Sequence, residues 1–221
     1  MELIKKYYDN GQLQAHYYVL NGKIHGEHKR WYENGQLNIH SHYANGKLHG
    51  EYKRWHANGE LYIHTHYVDD KRHGEYKEWH PNDELYTHSN YEHGKRHGEY
   101  KSWYDDGQLC VHTNYEHGQY HGEYKEWHQN GQLAMRTHYV NDQYHGEYKW
   151  WYANGELHIH TYYENGQRHG EYKEWDEQGN LYNHSFWAHD EEVTDEVDKL
   201  ITDRYNITQE ERILIKLAVG C

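Results

Sequence analysis

The chain has 221 residues, a net charge of −13 with histidine neutral, and only 35% hydrophobic residues. The acidic balance excludes a general basic surface for nucleic acid and disfavours anionic membranes. At 16% aromatic residues the chain is too aromatic for disorder yet too polar for a thick core, which leaves a thin β-sheet held by aromatic pairs.

The chain begins MELIKKYYDNG, whose apolar stretch is too short for a signal peptide, and no segment approaches the ~20 apolar residues of a membrane span. A soluble, cytoplasmic protein that is not secreted is therefore expected. Lys5-Lys6-Tyr7-Tyr8 aligns with Lys29-Arg30-Trp31-Tyr32, so this segment reads as a truncated copy of a unit that then recurs. His-Gly returns every 24 residues, with its glycine at Gly26, Gly50, Gly74, Gly98, Gly122, Gly146 and Gly170. Trp31, Trp55, Trp79, Trp103, Trp127, Trp151 and Trp175 keep the same step, as do Leu13, Leu37, Leu61, Leu85, Leu109, Leu133, Leu157 and Leu181. Seven copies without insertion or deletion mean a stacked array, in which each unit packs on the next.

Each unit holds two turn signals, exemplified by Asn34-Gly35 and Asn45-Gly46. Asn-Gly suits a two-residue type I′ turn, and Asp83, Asp70 and Asp142 stand for glycine in some copies. Between turns lie alternating runs such as EYKRWH and LYIHTHY. The expected fold class is all-β: an elongated single-layer antiparallel meander of two-strand units. The array is expected over residues 1–189, as a truncated unit plus about seven full ones. Two-residue loops at both turns set Tyr32 opposite Leu37, Trp31 opposite Asn38, Ile39 opposite Tyr52 and His42 opposite His49. One face then carries Leu37, Ile39, Ser41, Tyr43 and Tyr52 and is taken as the packing face. The other carries Trp31, Lys29, Glu27, His40, His42 and His49. A three-residue loop with a bulge at Asn34-Gly35 would instead bring Trp to the Leu face. In this register Gly50 faces Ser41, and a side chain there is expected to crowd the packing face.

After Trp187 the pattern changes. Val193, Val197, Leu200 and Ile201 fall on one helical stripe, and Thr208 to Glu211 has capping-box spacing before ILIKLAV. Residues 190–221 are expected to form a short α-helical cap over the last strand, whose open edge would otherwise invite pairing with another chain. The two cysteines, Cys110 and Cys221, give neither a disulfide framework nor a zinc spacing.

The recurring NGK-x-HGEYK-x-W-x-x-NG-x-L, from about Tyr7 to Trp187, resembles MORN repeats, most closely the variant form of bacterial antitoxin-like proteins. Such regular arrays also resemble those of giant viruses, which would place the protein in a viral factory or virion. The resemblance implies stacked β-hairpins and a scaffolding role in protein–protein contact, with lipid binding as a further family role. The chain departs from the common pattern in that Tyr52, Tyr76, Tyr100, Tyr124, Tyr148 and Tyr172 stand where a second glycine is frequent, and in its 25 histidines.

The histidine-rich face is the one chemically suggestive feature. In the expected register His40 lies opposite Glu51, Glu51 opposite His66, and His66 opposite His73, close enough for a metal to bridge. The pattern breaks at Asn90, Asn114, Tyr162 and Arg136, which favours a solvated His–Glu ladder that stiffens the sheet over a metal site. That ladder is expected to stabilise the fold near pH 6 relative to pH 8. The tryptophans read as a packed column under lysine stems rather than an exposed recognition strip. No phosphate loop, nucleophile elbow or unique catalytic pair occurs. The reading is a non-enzymatic scaffold with no cofactor, no catalytic residue and no metal ligand. Its partner would be a protein of unknown identity, with monomer and homodimer both open. The alternatives are a phospholipid-associated MORN protein and a His-rich metal-binding protein.

Overall fold

The computed structural model describes residues 1–193. Contacts divide the chain into two units, Met1–Gln119 and Tyr120 onward. The first holds β1 (Glu2–Tyr7), β2 (Leu13–Leu20), β3 (Lys23–Trp31), β4 (Leu37–Ala44), β5 (Lys47–Trp55), β6 (Leu61–Val68), β7 (Lys71–Trp79), β8 (Leu85–Glu92), β9 (Lys95–Trp103) and β10 (Leu109–Glu116). After β11 (Gln119–Tyr120), the second holds β12 (Gly122–Trp127), β13 (Leu133–Val140), β14 (Gln143–Tyr144), β15 (Gly146–Trp151), β16 (Leu157–Glu164), β17 (Gln167–Arg168), β18 (Gly170–Trp175), β19 (Leu181–Ala188) and β20 (Glu191–Glu192). Each unit is an open antiparallel sheet whose strands pair with their neighbours in chain order, as the alternating patterns require. No helix occurs among the described residues. The expected helical cap lies almost wholly outside them. Asp190–Val193 instead carry on the strand pattern, with β20 paired to Trp187 and Ala188 and the Val193 N–H donating to Phe186.

The two Asn-Gly signals fold differently. At Asn45-Gly46 both residues have positive φ, 53° and 85°, giving the expected type I′ turn, and Tyr43 pairs with Leu48. At Asn34-Gly35 only the glycine is left-handed, at 87°. The Gly35 N–H donates to Tyr32 O (3.0 Å) and the Tyr32 N–H to Gln36 O (2.8 Å), enclosing the three-residue loop Glu33-Asn34-Gly35. The ladder shifts by one residue there, so Trp31 pairs with Leu37 rather than Asn38, and Arg30 with Ile39. The same Trp–Leu pair closes every such hairpin from Trp31–Leu37 to Trp175–Leu181. Trp31 nevertheless keeps the histidine face, its ring lying parallel to that of His16 at 6.5 Å. Paired residues share a face, so it is Leu37 that changes sides.

A second correction lies at His-Gly. Ser41 pairs with Tyr52 and Tyr43 with Leu48, so three residues, His49 to Glu51, oppose His42 alone. This bulge adds two residues, which preserves the expected faces but moves the partners. Tyr52 lies across from Ser41 instead of Ile39, and Ile39 from Arg54. Gly50 sits in the bulge at φ 106°, with nothing closer to a built Cβ than His42 Cβ at 3.4 Å, and Gly98 at 78° has no atom within 4 Å. The expected crowding against Ser41 is therefore absent; what demands glycine is the left-handed backbone.

Within each unit the most buried residues form a column of small hydroxyl side chains one repeat apart. Ser41, Thr65, Ser89, Thr113 and Thr161 are 1% exposed and Thr137 is 3%. Each small residue stands across from a tyrosine, as Ser41 and Thr65 both do from Tyr52, and Thr65 and Ser89 from Tyr76. Tyrosine pairs pack edge to face over this row: Tyr52–Tyr67 at 5.5 Å, Tyr76–Tyr91 and Tyr100–Tyr115 at 5.6 Å, Tyr124–Tyr139 at 5.5 Å and Tyr148–Tyr163 at 5.6 Å. Two large rings on each side leave room only for a small residue between them. Arg72 caps one pair, its guanidinium 4.7 Å from Tyr76 and 5.3 Å from Tyr91, and Arg96 caps the next. Tyr144, two repeats after Arg96, packs its ring 5.0 Å from that of Tyr163 at a tilt of 42°.

Hydrogen bonds lock consecutive repeats at both turn rows. The Tyr8, Tyr32 and Tyr152 hydroxyls donate to the carbonyls of Trp31, Trp55 and Trp175, each 23 residues ahead. At the type I′ turns, the N–H of Gly46, Asp70 and Gly166 donates back to Ile24, Leu48 and Tyr144. The step is constant, so an insertion within a repeat would put out of register the bonds that span it.

Candidate functional site

In each unit, the face bearing Glu27, Lys29 and His40 or their equivalents carries a row of charge clusters built on the ladder. Glu and Lys two apart on one strand share a face, and the diagonal neighbour on the next strand is histidine. Glu27 Oε1 is 2.7 Å from Lys29 Nζ and 3.0 Å from His40 Nε2. The set recurs as Glu51–Lys53–His64, Glu75–Lys77–His88, Glu99–Lys101–His112, Glu147–Lys149–His160 and Glu171–Lys173–His184. In the remaining copy Arg136 takes the histidine's place, its Nε 2.9 Å from Glu123 Oε1. Glu51 does pair with His66 across the ladder as expected, but its carboxylate holds Lys53 and His64. His40, expected opposite Glu51, pairs with Lys53 instead.

Lysine decides the electrostatics of this row. Hydrogen bonding by Lys29 holds the Glu27 carboxyl below its ordinary range, against a smaller opposing effect of burial. Lys53, Lys77, Lys101, Lys125 and Lys149 do the same for Glu51, Glu75, Glu99, Glu123 and Glu147. At Glu171 burial is the largest influence and pushes upward, but the bonds from Lys173 and His184 outweigh it. Burial and then Lys29 push His40 down despite Glu27, and burial and Arg30 push His28 down. The sequence shows the Glu-x-Lys spacing, and that was the available signal for this pairing.

A second histidine row runs along the type I′ turns, where the His of each His-Gly meets the first turn residue of the following repeat. His25 Nδ1 accepts the Asn45 N–H at 3.4 Å, and His49 Nδ1 lies 3.7 Å from Asp69 Oδ1. Histidine occupies the turn at His93, His117 and His189, all with φ of 52–53°. Ring centroids are 6.1 Å apart for His73–His93, 5.8 Å for His97–His117 and 5.3 Å for His169–His189. In the last two a glutamate ends the neighbouring strand: His97 Nδ1 is 3.9 Å from Glu92 Oε2, and Glu164, His169 and His189 bring ligand atoms within 4.8 Å of one another. Glu51, His64 and His66 form another such group. The expected His42–His49 and His66–His73 pairs are absent from the regular ladder; the close pairs are His40–His42 and His64–His66 along a strand, at 5.1 and 5.6 Å.

The singled-out repeat positions fall at the structural joints. The seven glycines from Gly26 to Gly170 all have φ between 76° and 106°. The tryptophans end their strands half-buried, and the leucines begin theirs. A shallow groove of about 520 Å³ opens where Arg136 interrupts the histidine row, lined by Glu123, Arg136, His138, His145 and Glu147.

The MORN repeat variant pattern matches eight consecutive segments: 3–21, 24–45, 48–69, 72–93, 96–117, 120–141, 144–165 and 168–189. The chain belongs to the MORN repeat variant family. Each MORN segment spans the strands flanking one three-residue loop, and type I′ turns join successive segments. No curated protein matches the chain significantly. Among solved structures, one described as "Crystal Structure of TcdB2-TccC3-Cdc42" is similar over 83% of this chain and 13% of that one, at 11% identity and a TM-score of 0.23. MORN repeats are a non-catalytic repeat family, and no helix among the described residues is long and apolar enough to cross a membrane.

Proposed function

We propose that this MORN chain is a non-enzymatic scaffold of the cytoplasm that binds a partner protein along its repeats. The observation that carries this reading is the recurrence of one charge cluster, Glu–Lys–His, in six copies with a seventh carrying Arg136. A catalytic pair sits once, in a distinct environment; a repeated row suits a partner that is itself extended. Exposed aromatic residues supply anchors in such contacts. Tyr86, Trp150, Tyr162 and Tyr182 are 43%, 37%, 39% and 58% exposed.

The test is affinity capture with the full chain and with a Trp150→Ala, Tyr162→Ala, Tyr182→Ala variant. A partner whose affinity drops about tenfold or more in the variant supports the reading. A partner held equally by both proteins, or sedimentation with phosphatidylserine vesicles in place of protein binding, overturns it.

A further inference from the structure

We propose that Glu164, His169 and His189 form a binding site for a divalent transition metal of the zinc class, and that Glu92, His97 and His117 form a second copy. The sets occupy the same positions three repeats apart: the last residue of a strand, the His of His-Gly, and the first residue of the next type I′ turn. Two imidazoles and a carboxylate are a donor set suited to Zn²⁺, with a fourth position left to water.

Glu164, His169 and His189 place their ligand atoms within 4.8 Å of one another, as Glu51, His64 and His66 also do. What separates the proposed corners from the latter group is the lack, among the described residues, of a competing cation. Tetrahedral zinc with bonds of about 2.0–2.1 Å needs donors roughly 3.4 Å apart, a contraction within reach of side-chain rotation at the exposed His189. His97 Nδ1 and His169 Nδ1 are buried and have no hydrogen-bond partner. A buried ring nitrogen without a partner is costly, and a metal bond would satisfy it. At His97 that nitrogen is the atom nearest the Glu92 carboxylate. No Lys or Arg among the described residues forms an ion pair with Glu92 or Glu164, whereas a cation at Glu51 would have to displace the Lys53 ammonium at 2.7 Å.

The chain supplies its own controls. At the same positions other repeats read Val140–His145–Asn165 and Val68–His73–His93, and Asn165 adopts the turn at φ 51°. The change Glu164→Val with His189→Asn therefore recreates a corner that already folds in this protein, as does Glu92→Val with His117→Asn.

Tag-free full-length protein is equilibrated with Zn²⁺ and passed over a weak chelating resin, and retained zinc is counted by elemental analysis. Two equivalents are expected for the parent, one for either double variant and none when both corners are changed. Zn²⁺ should raise the melting temperature of the parent but not of the fourfold variant, because the metal ties a strand end to the next repeat's turn. Circular dichroism of the metal-free proteins checks that all fold alike. A parent that retains no zinc, corner variants that retain as much as the parent, or loss of zinc on His64→Gln with His66→Gln each overturns the proposal.

Discussion

Asp70 Oδ1 accepts the backbone N–H of Leu48 at 2.7 Å, while the Asp70 N–H donates to Leu48 O at 3.0 Å. Asp142 holds Tyr120 and Asp190 holds Arg168 in the same way. Aspartate replaces glycine at a left-handed turn position in all three, with φ of 66–67°. The side chain recovers as a hydrogen bond between repeats what the backbone loses in ease of turning.

Asp70→Ala should therefore destabilise the protein by about 1–2 kcal/mol, since alanine keeps the unfavourable φ and loses the acceptor. Asp70→Gly should lie within about 0.5 kcal/mol of the parent, because relief of φ offsets the lost bond. Denaturant unfolding of both variants checks this. Equal losses in the two would show that the carboxylate, not the backbone, sets the stability of this turn.

Gly98 is the position where space and backbone make opposite predictions. Its φ is 78° and no atom lies within 4 Å of a built Cβ. Gly98→Ala and Gly98→Val should each cost about 1–2 kcal/mol, with valine only slightly worse for its branched Cβ. If valine cost several times more than alanine, crowding would be the cause and the bulge geometry would be wrong.

The two turns show how far the sequence could be read. At the type I′ turn both central positions need φ above zero, and the residues found there, Asn, Asp, His and Gly, all tolerate it. The turn type was therefore legible. At the other turn Asn-Gly suited either loop, and the discriminating signal was a single residue. Gln178 stands where the other copies have Asn or Asp, and glutamine has no special tolerance of left-handed backbone. A three-residue loop asks only the glycine to be left-handed. The core was legible by face but not by residue. Ser41 and its equivalents look like surface positions on any hydropathy scale, and only their place between paired tyrosines makes them the most buried. The histidine clusters were less legible still, because the bulge at His-Gly moves by two positions the partners across each type I′ hairpin.

The hydroxyl column yields a contrast within one row. Thr65 Oγ1 donates to Glu75 O at 3.0 Å, whereas Thr113 Oγ1 is buried with no hydrogen-bond partner. Thr65→Val should cost about 1 kcal/mol for the lost bond, and Thr113→Val should be neutral or stabilising by about 1 kcal/mol. Thr113→Leu, which must displace the Tyr100 ring across the ladder, should cost about 1–3 kcal/mol. Thermal melts of the three variants check the ordering. A Thr113→Val loss equal to that of Thr65→Val would mean that a bound water satisfies Thr113.

The pH dependence follows from the direction of each shift. The Glu27 and Glu51 class of carboxylates has folded values below 4.5. Their contribution is present above the unfolded value and is lost as pH falls through the folded one. His28 and His40 lie below their ordinary 6.5, so neutral imidazole is favoured in the fold. Their contribution is likewise present above about 6.5 and is lost as pH falls toward the folded values. Lysine already occupies the carboxylates, so the stabilisation near pH 6 expected of a His–Glu ladder has no support in His40, the ladder histidine whose shift is downward. At the alkaline end, burial raises the hydroxyls of Tyr52 and Tyr163, and that of Tyr172 to about 12. The fold resists their ionisation, and stability is lost as pH rises above about 10. The melting temperature should therefore be flat from pH 7 to 8.5, decline below about 6.5 and fall more steeply below about 4.5. Melts of metal-free protein across pH 4 to 10.5 check the profile. A maximum near pH 6, with a decline toward pH 8, would show that imidazolium–carboxylate pairs outweigh lysine in this row.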